Sequence, residues 1–412
     1  MPAVRLSAGW VLPVAAPPIE DGAVLVGPDG FIERVGPDSE VPRPPGVQTV
    51  EAPDAAVIPG LVNTHTHLEL TGFDGLVPDD DFVAWITRLR ALKERQPPDV
   101  YLAAAKRGLL DCWASGVTTI ADTGDRGVVA RAIAELGGAG IAYQEVFGPH
   151  PDQCAESLDE LRRSVEAVRH YASGRVRLGV SPHAPYTVSA PLYHAVGRWA
   201  RAEGLPIALH LAESVAEADL LRSATGPFAD AWQRRGIPLP GPGRSPVQLV
   251  ADQDLLGPDT LCIHAVQVDA PDLDRIARTG AAVAHCPRAN RRHGHGAAPL
   301  AQLIAAGIRV GLGTDSVASV TPLDLFAEAR AAQALAGLDA GTALALGTVG
   351  GARALGLERE IGTLTAGKWA DIVVIDLGPA GADPAARALA AGRAGVRATF
   401  LGGREVYRRV GG

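Results

Sequence analysis

The chain has 412 residues, more than one average domain, yet a single α/β barrel with an appendage fits that length. Hydrophobic residues make up 47% and charged residues 20%, which suits a soluble protein with a large buried core. A net charge of −8, with no basic stripe, argues against a nucleic-acid partner and for a small-molecule substrate.

The first segment, MPAVRLSAGWVLPVAAPPIEDG, carries one arginine and a short apolar run. Pro13, Pro17 and Pro18 break that run, and no long apolar helix follows, so early strands are expected and not a signal peptide. Residues 1–54 hold short β-type runs, GAVLVG and FIERVG, separated by Pro and Gly. From about residue 356 onward the same character returns in GTLTAGKWADIVVIDL and VRATFLGGREVYRR. The two ends, 1–54 and 356–412, are therefore expected to meet in one small β-sandwich. The four cysteines, Cys112, Cys154, Cys262 and Cys286, are too widely spaced for a Cys-x-x-Cys site and read as thiols of a reducing compartment; a cytoplasmic protein without membrane contact is expected.

The middle, 55–355, alternates apolar runs with amphipathic stretches. The runs are AVIPGLVNT, GVTTIAD, GIAYQEVF, VRLGVSP, LPIALHLA, DTLCIH, AAVAHCP and IRVGLGTD. Between them lie helix candidates such as FVAWITRLRALKER and AESLDELRRSVEAVRHYA. Eight β-runs alternating with helices predict parallel strands closed into a (β/α)8 TIM barrel. No G-x-G-x-x-G follows the first run, which weighs against an open doubly wound sheet. Residues 223–246, rich in Pro and Gly, read as an excursion loop between the fifth and sixth strands.

In such barrels the chemistry sits where the strands end. Strand one ends in Asn63-Thr64-His65-Thr66-His67, and two imidazoles at i and i+2 face the same way. Strand four ends in His183, strand five in His210 with Glu213 three residues on, strand six in His264 and strand eight in Thr314-Asp315. Alone, each has a bland reading: a hydrogen-bonded structural histidine, or an aspartate capping a helix. Together, titratable groups on five of eight strand ends predict a metal site. Imidazoles and one carboxylate suit one divalent ion, zinc or iron(II), and such an ion makes a bound water acidic enough to act near neutral pH. Glu213, beyond its strand, can turn to that water as general acid–base, with His264 and Asp315 orienting it. Only three lysines occur, Lys93, Lys106 and Lys368, and none ends strand four, so a carboxylated lysine bridging two metals is not expected.

These stretches resemble the amidohydrolase superfamily, specifically its cytosine/adenosine-type deaminase and chlorohydrolase branch. VIPGLVNTHTHLEL, SPHAPYTVS, ALHLAES, LCIHAVQVD, VAHCPRANRR, GLGTDSVAS and GTLTAGKWADIVVID run in family order over nearly the whole chain. The resemblance implies that His65, His67, His210 and Asp315 bind one metal, that Glu213 and His264 act in catalysis, and that His183 contacts substrate. HTHLEL, YQEVFGP and CPRANRR are similar to aminodeoxyfutalosine deaminases of menaquinone biosynthesis. Relatives with similar motifs act on S-adenosylhomocysteine, methylthioadenosine, guanine or chlorotriazines. Ala289 stands where the family's CPxSN pattern has serine.

The expected reaction is therefore hydrolytic removal of an amino group from an adenine-type nucleoside. Hydrolysis of guanine, another ring amine or a chlorotriazine is the enzymatic alternative, and a catalytically dead scaffold the remaining one. Glu69 and Glu145 are candidate substrate contacts, and Glu69 reads equally as a loop cap. In the loop 288–296, RANRRHGHG, Arg288, Arg291 and Arg292 can pair with a substrate carboxylate or form a solvated basic face. Its His293 and His295 have no adjacent carboxylate and are not expected to hold metal. Phe82, Trp85 and Leu89 share a helix face and read as core; His150, His170 and His194 read as surface. A homodimer is compatible with all of this.

Overall fold

A computed structural model describes residues 2–77, 81–378 and 381–410. The N-terminal strands β1 (Val4–Val11), β2 (Ile19–Val26), β3 (Ile32–Pro37) and β4 (Gln48–Pro59) come first. Then follow the barrel strands β5 (Leu61–Thr66), β6 (Val117–Gly124), β7 (Gly140–Val146), β8 (Val176–Pro182), β9 (Ile207–Leu211), β10 (Thr260–His264), β11 (Ala282–His285) and β12 (Arg309–Leu312). The chain ends with β13 (Ile372–Asp376), β14 (Val396–Leu401) and β15 (Arg404–Arg408).

Strands β5 to β12 pair in sequence order, all parallel, as in Gly140↔Val176 to Val146↔Pro182. Thr66 bridges Asp315, and the amides of Thr314 and Asp315 both donate to His65 O, which joins the last strand end to the first and closes the barrel. Residues alternate in and out along each strand. In β9, Ile207, Leu209 and Leu211 join the outer core against the helices, while Ala208 fills the barrel interior with Ile141, Tyr143, Leu261 and Ile263.

The termini meet as expected. Their strands hydrogen-bond as one seven-stranded mixed sheet, β15-β14-β13-β4-β1-β2-β3. Phe31 beside β3 pairs with Trp369 ahead of β13, so the β3 edge curls back toward the segment that leads into β13, around one apolar cluster. The run AVIPGLVNT proves to be two strands: Ala56–Pro59 completes β4 of the terminal sheet, and the barrel begins at Leu61. Gly60 makes the crossing because a Cβ there would press into the Thr118 side chain. Arg175 and Asp371 tie sheet to barrel with two parallel hydrogen bonds, 2.8 and 2.6 Å.

Two expectations need correction. Residues 223–246 contain a helix, Gly226–Arg234; Phe228 stacks on Tyr186 at 4.1 Å, and Trp232 Nε1 donates to Tyr186 O. Burial of Phe228 and Trp232 outweighs the turn-rich composition. The C-terminal segment is not purely strands either. A helix, Pro384–Gly395, stands between β13 and β14 and buries Ala385, Ala388 and Leu389. Among the described residues no helix is long and apolar enough to cross a membrane.

Candidate active site

The strand-end residues converge at one mouth of the barrel. His65, His67 and Asp315 form one group whose ligand atoms lie within 4.8 Å of each other, and His65, His210 and His264 form another. His65 Nε2 and His67 Nε2 each stand 3.6 Å from Asp315 Oδ1. Glu145, His183 and His210 make a third such group, which carries the cluster toward β7 and β8.

The backbone that presents these groups is unusual. Ala212, His264, Ala265 and Asp315 adopt left-handed φ of 53°, 76°, 47° and 57°, respectively. Non-glycine residues hold that conformation only when their surroundings impose it, and such strain clusters at functional sites. Asn63 helps impose it: its Oδ1 accepts from the amides of His65 and Thr314, and its Nδ2 donates to Thr314 Oγ1.

Each ring is oriented from behind. His67 Nδ1 donates to Thr123 O at 2.8 Å, leaving Nε2 toward Asp315. His264 Nδ1 donates to Asn290 Oδ1 at 2.9 Å, leaving Nε2 toward Glu213. His183 Nδ1 shares a 2.8 Å hydrogen bond with the Thr187 hydroxyl.

Burial disfavours charge on these imidazoles. It lowers His65, takes His67 and His183 down to about 3, and puts His210 well below the ordinary histidine range. Burial would raise Asp315, but its interaction with His65, 3.6 Å away, prevails and holds its carboxyl well below the usual range. The site thus offers neutral imidazole lone pairs and an ionised carboxylate. Both ring nitrogens of His65, Nδ1 of His210 and Nε2 of His264 are buried without a hydrogen-bond partner. Buried polar atoms left this way are costly unless something pairs with them. A nitrogen-rich donor set with one carboxylate fits a divalent transition metal.

Glu213, 4% exposed, faces the cluster with Oε1 3.4 Å from His264 Nε2 and 3.2 Å from His295 Nε2. Its amide and that of Ala212 both donate to the carboxylate of Glu217, at 2.8 Å each. Glu217 escaped notice in the sequence although its signal was present: Ser214-Val-Ala-Glu217 has the spacing of a helix capping box. Ser214 Oγ does accept from the Glu217 amide, but the Glu217 carboxylate turns back to the strand end. Asn290 was also missed as the residue that orients His264. Short polar side chains on loops carry no spacing that betrays such a partner.

The remaining candidates divide. Glu145 joins the cluster, and burial pushes its carboxyl up to about 8. Glu69 is buried but engages Lys93, whose Nζ donates to Glu69 Oε1 at 2.8 Å and to Asp125 Oδ1 at 3.0 Å. Residues 287–292 form a short helix, with Arg291 and Arg292 exposed in its last turn. Arg288 is held by Pro322 O and Glu328, and Ala289 lies buried in the barrel's apolar cluster. Trp85 and Leu89 are core residues, with Phe82 packed against them, and the Phe82 ring also lies 4.5 Å from that of His295. His170 and His194 are exposed, and His150 caps a short 3-10 helix.

The comparisons with known proteins agree with this geometry. The model of the amidohydrolase family matches residues 56–406. A 5-methylthioadenosine/S-adenosylhomocysteine deaminase of Symbiobacterium thermophilum is 32% identical over 398 residues, covering 90% of this chain and 84% of the relative. A zinc-bound adenosine deaminase of Xanthomonas campestris superposes with a TM-score of 0.85 at 28% identity, covering 98% of this chain and 92% of that one. An aminofutalosine deaminase of Helicobacter pylori, in complex with methylthio-coformycin, shares the fold with a TM-score of 0.87 at 20% identity, covering 98% of this chain and 100% of that one. With the family model matched over residues 56–406 and a relative 32% identical across 90% of this chain, the chain belongs to the amidohydrolase family.

Proposed function

We propose that the protein is a metal-dependent hydrolytic deaminase of adenine-type nucleosides, which replaces the ring's amino group with oxygen and releases ammonia. The observation that carries this reading is the pair of groups that share His65, one with His67 and Asp315 and the other with His210 and His264, with the carboxylate of Glu213 3.4 Å from His264 Nε2. The deaminase relative at 32% identity supports methylthioadenosine or S-adenosylhomocysteine as the substrate class. The zinc-bound adenosine deaminase supports zinc as the metal.

In this reading His65, His67, His210 and Asp315 would hold the ion, which would supply Lewis acidity to make a water nucleophilic near neutral pH. Glu213 would take a proton from the attacking water and pass it to a ring nitrogen; the second proton of that water would go to the amino group, which leaves as ammonia as the carbon–oxygen double bond forms. His264, fixed by Asn290, orients the water against Glu213. His183 and Glu145, on the β7–β8 side, contact the substrate ring or ribose. Arg291 and Arg292, exposed in the last turn of the helix after β11, would pair with a substrate carboxylate. The free thiols support a cytoplasmic setting.

The test is an ammonia-release assay on zinc-loaded protein with methylthioadenosine, S-adenosylhomocysteine, adenosine and aminodeoxyfutalosine, beside guanine and a chlorotriazine. At least one adenine nucleoside should release ammonia. Glu213→Gln should keep its zinc while kcat falls about 10²- to 10⁴-fold. Turnover of the chlorotriazine alone, or a near-normal Glu213→Gln, would sink the proposal.

A further inference from the structure

His295 lies outside the strand-end pattern, yet it stands closer to Glu213 Oε1 than His264 does, 3.2 Å against 3.4 Å. Its placement is built. Its amide donates to Asn290 O at 2.9 Å, and its carbonyl accepts from Gln267 Nε2 at 2.6 Å. The ring is 3% exposed and sits edge-on to Phe82. Gly294 and Gly296, with φ of 67° and 101°, let the loop reverse on either side of it. Asn290 thus holds both imidazoles that flank Glu213: His264 through its side chain, His295 through its backbone.

The surroundings separate the two rings. His264 belongs to the imidazole group with His65 and His210, and its Nδ1 is engaged by Asn290. His295 stands outside those groups; its Nε2 is buried without a hydrogen-bond partner, 3.2 Å from Glu213 Oε1.

We propose that His295 is a positioning residue whose Nε2–H holds the Glu213 carboxylate in the rotamer that faces the imidazole cluster. Electrostatics agree. Burial takes Glu217, four residues away, up to about 8 in spite of the amides it accepts, and likewise favours a protonated Glu213; attraction to His264 and the close contact with His295 reverse that and hold Glu213 well below the usual range. His210 on β9 faces the carboxylate as well, and Glu217 reaches it only through the backbone.

This inference rests on the assignment of Glu213 as the acid–base, and the test separates the two. On zinc-loaded enzyme, His295→Leu removes the donor while keeping apolar contact with Phe82, and His295→Gln keeps an N–H at similar reach. His295→Leu should lower kcat about 10- to 100-fold, the size expected for a hydrogen bond to a charged group, with KM and zinc content unchanged. His295→Gln should recover most of that loss. Normal turnover in His295→Leu, or equal losses in both variants, overturns the inference while leaving Glu213 in place. A fully active Glu213→Gln overturns both.

Discussion

Glu217 illustrates how one buried carboxylate can serve two elements. It stands at the third position of helix Val215–Arg222, where its amide bonds the Ser214 hydroxyl, and its side chain accepts the amides of Ala212 and Glu213. Ala212 has a left-handed φ, so those amides point away from the β9 ladder and need this acceptor. Replacing Glu217 by Ala leaves two buried N–H groups unpaired. We expect a loss of about 1–3 kcal/mol per unpaired group in urea denaturation. Turnover should also fall at least tenfold with zinc content unchanged, because Glu213 loses its anchor. Unaltered stability and turnover would show that the strand end holds its shape without the carboxylate.

At the scale of elements, the terminal sheet depends on a buried cation. Arg5 in β1 is fully buried, and its Nη2 donates at 2.8 Å to both Asp38 O and Asp38 Oδ1. Asp38 also accepts from Ser7 Oγ at 2.6 Å and from Arg43. The Ser7 hydroxyl, with Arg43 and Arg5 behind it, lowers the Asp38 carboxyl to about 2. A carboxyl depressed on folding adds stability that is complete above its unfolded pKa of about 4 and vanishes as pH falls through about 2. Asp38→Asn should therefore cost about 1–2 kcal/mol near pH 6, less than a fully buried pair because Asp38 reaches solvent. The gap between wild type and variant should narrow as denaturation is repeated from pH 5 down to pH 3. A gap independent of pH would assign the loss to packing and not to charge.

At the scale of the molecule, the residues proposed as metal ligands come from β5, β9 and the turn after β12, so a bound ion would link the first and last barrel strands. Without it, unpartnered nitrogens of His65, His210 and His264 remain buried at the closure point. An ion present at 100 to 1,000 times its dissociation constant adds about 3–4 kcal/mol to the folded state. Chelation should accordingly lower Tm by several degrees and added zinc should restore it, as scanning calorimetry would record. A Tm indifferent to chelator and zinc would count against a metal at this closure.

The sequence by itself determined the barrel and the groups at its mouth. Alternation of apolar strand runs with amphipathic helices is a local pattern, and parity within a strand aims His65 and His67 at one point whatever surrounds them. The split of AVIPGLVNT at Gly60, the helices at 226–234 and 384–395, and the partnerships of Glu217, Asn290 and His295 were decided only by tertiary structure. The physical reason is shared among them. Each depends on burial, or on a hydrogen bond between residues that the fold brings together, and neither leaves a periodic mark on the chain. Glu69 shows the same limit: beside the metal-type HxH it reads as a substrate contact or a loop cap, and only the packing of helix Phe82–Arg95 brings Lys93 to its Oε1.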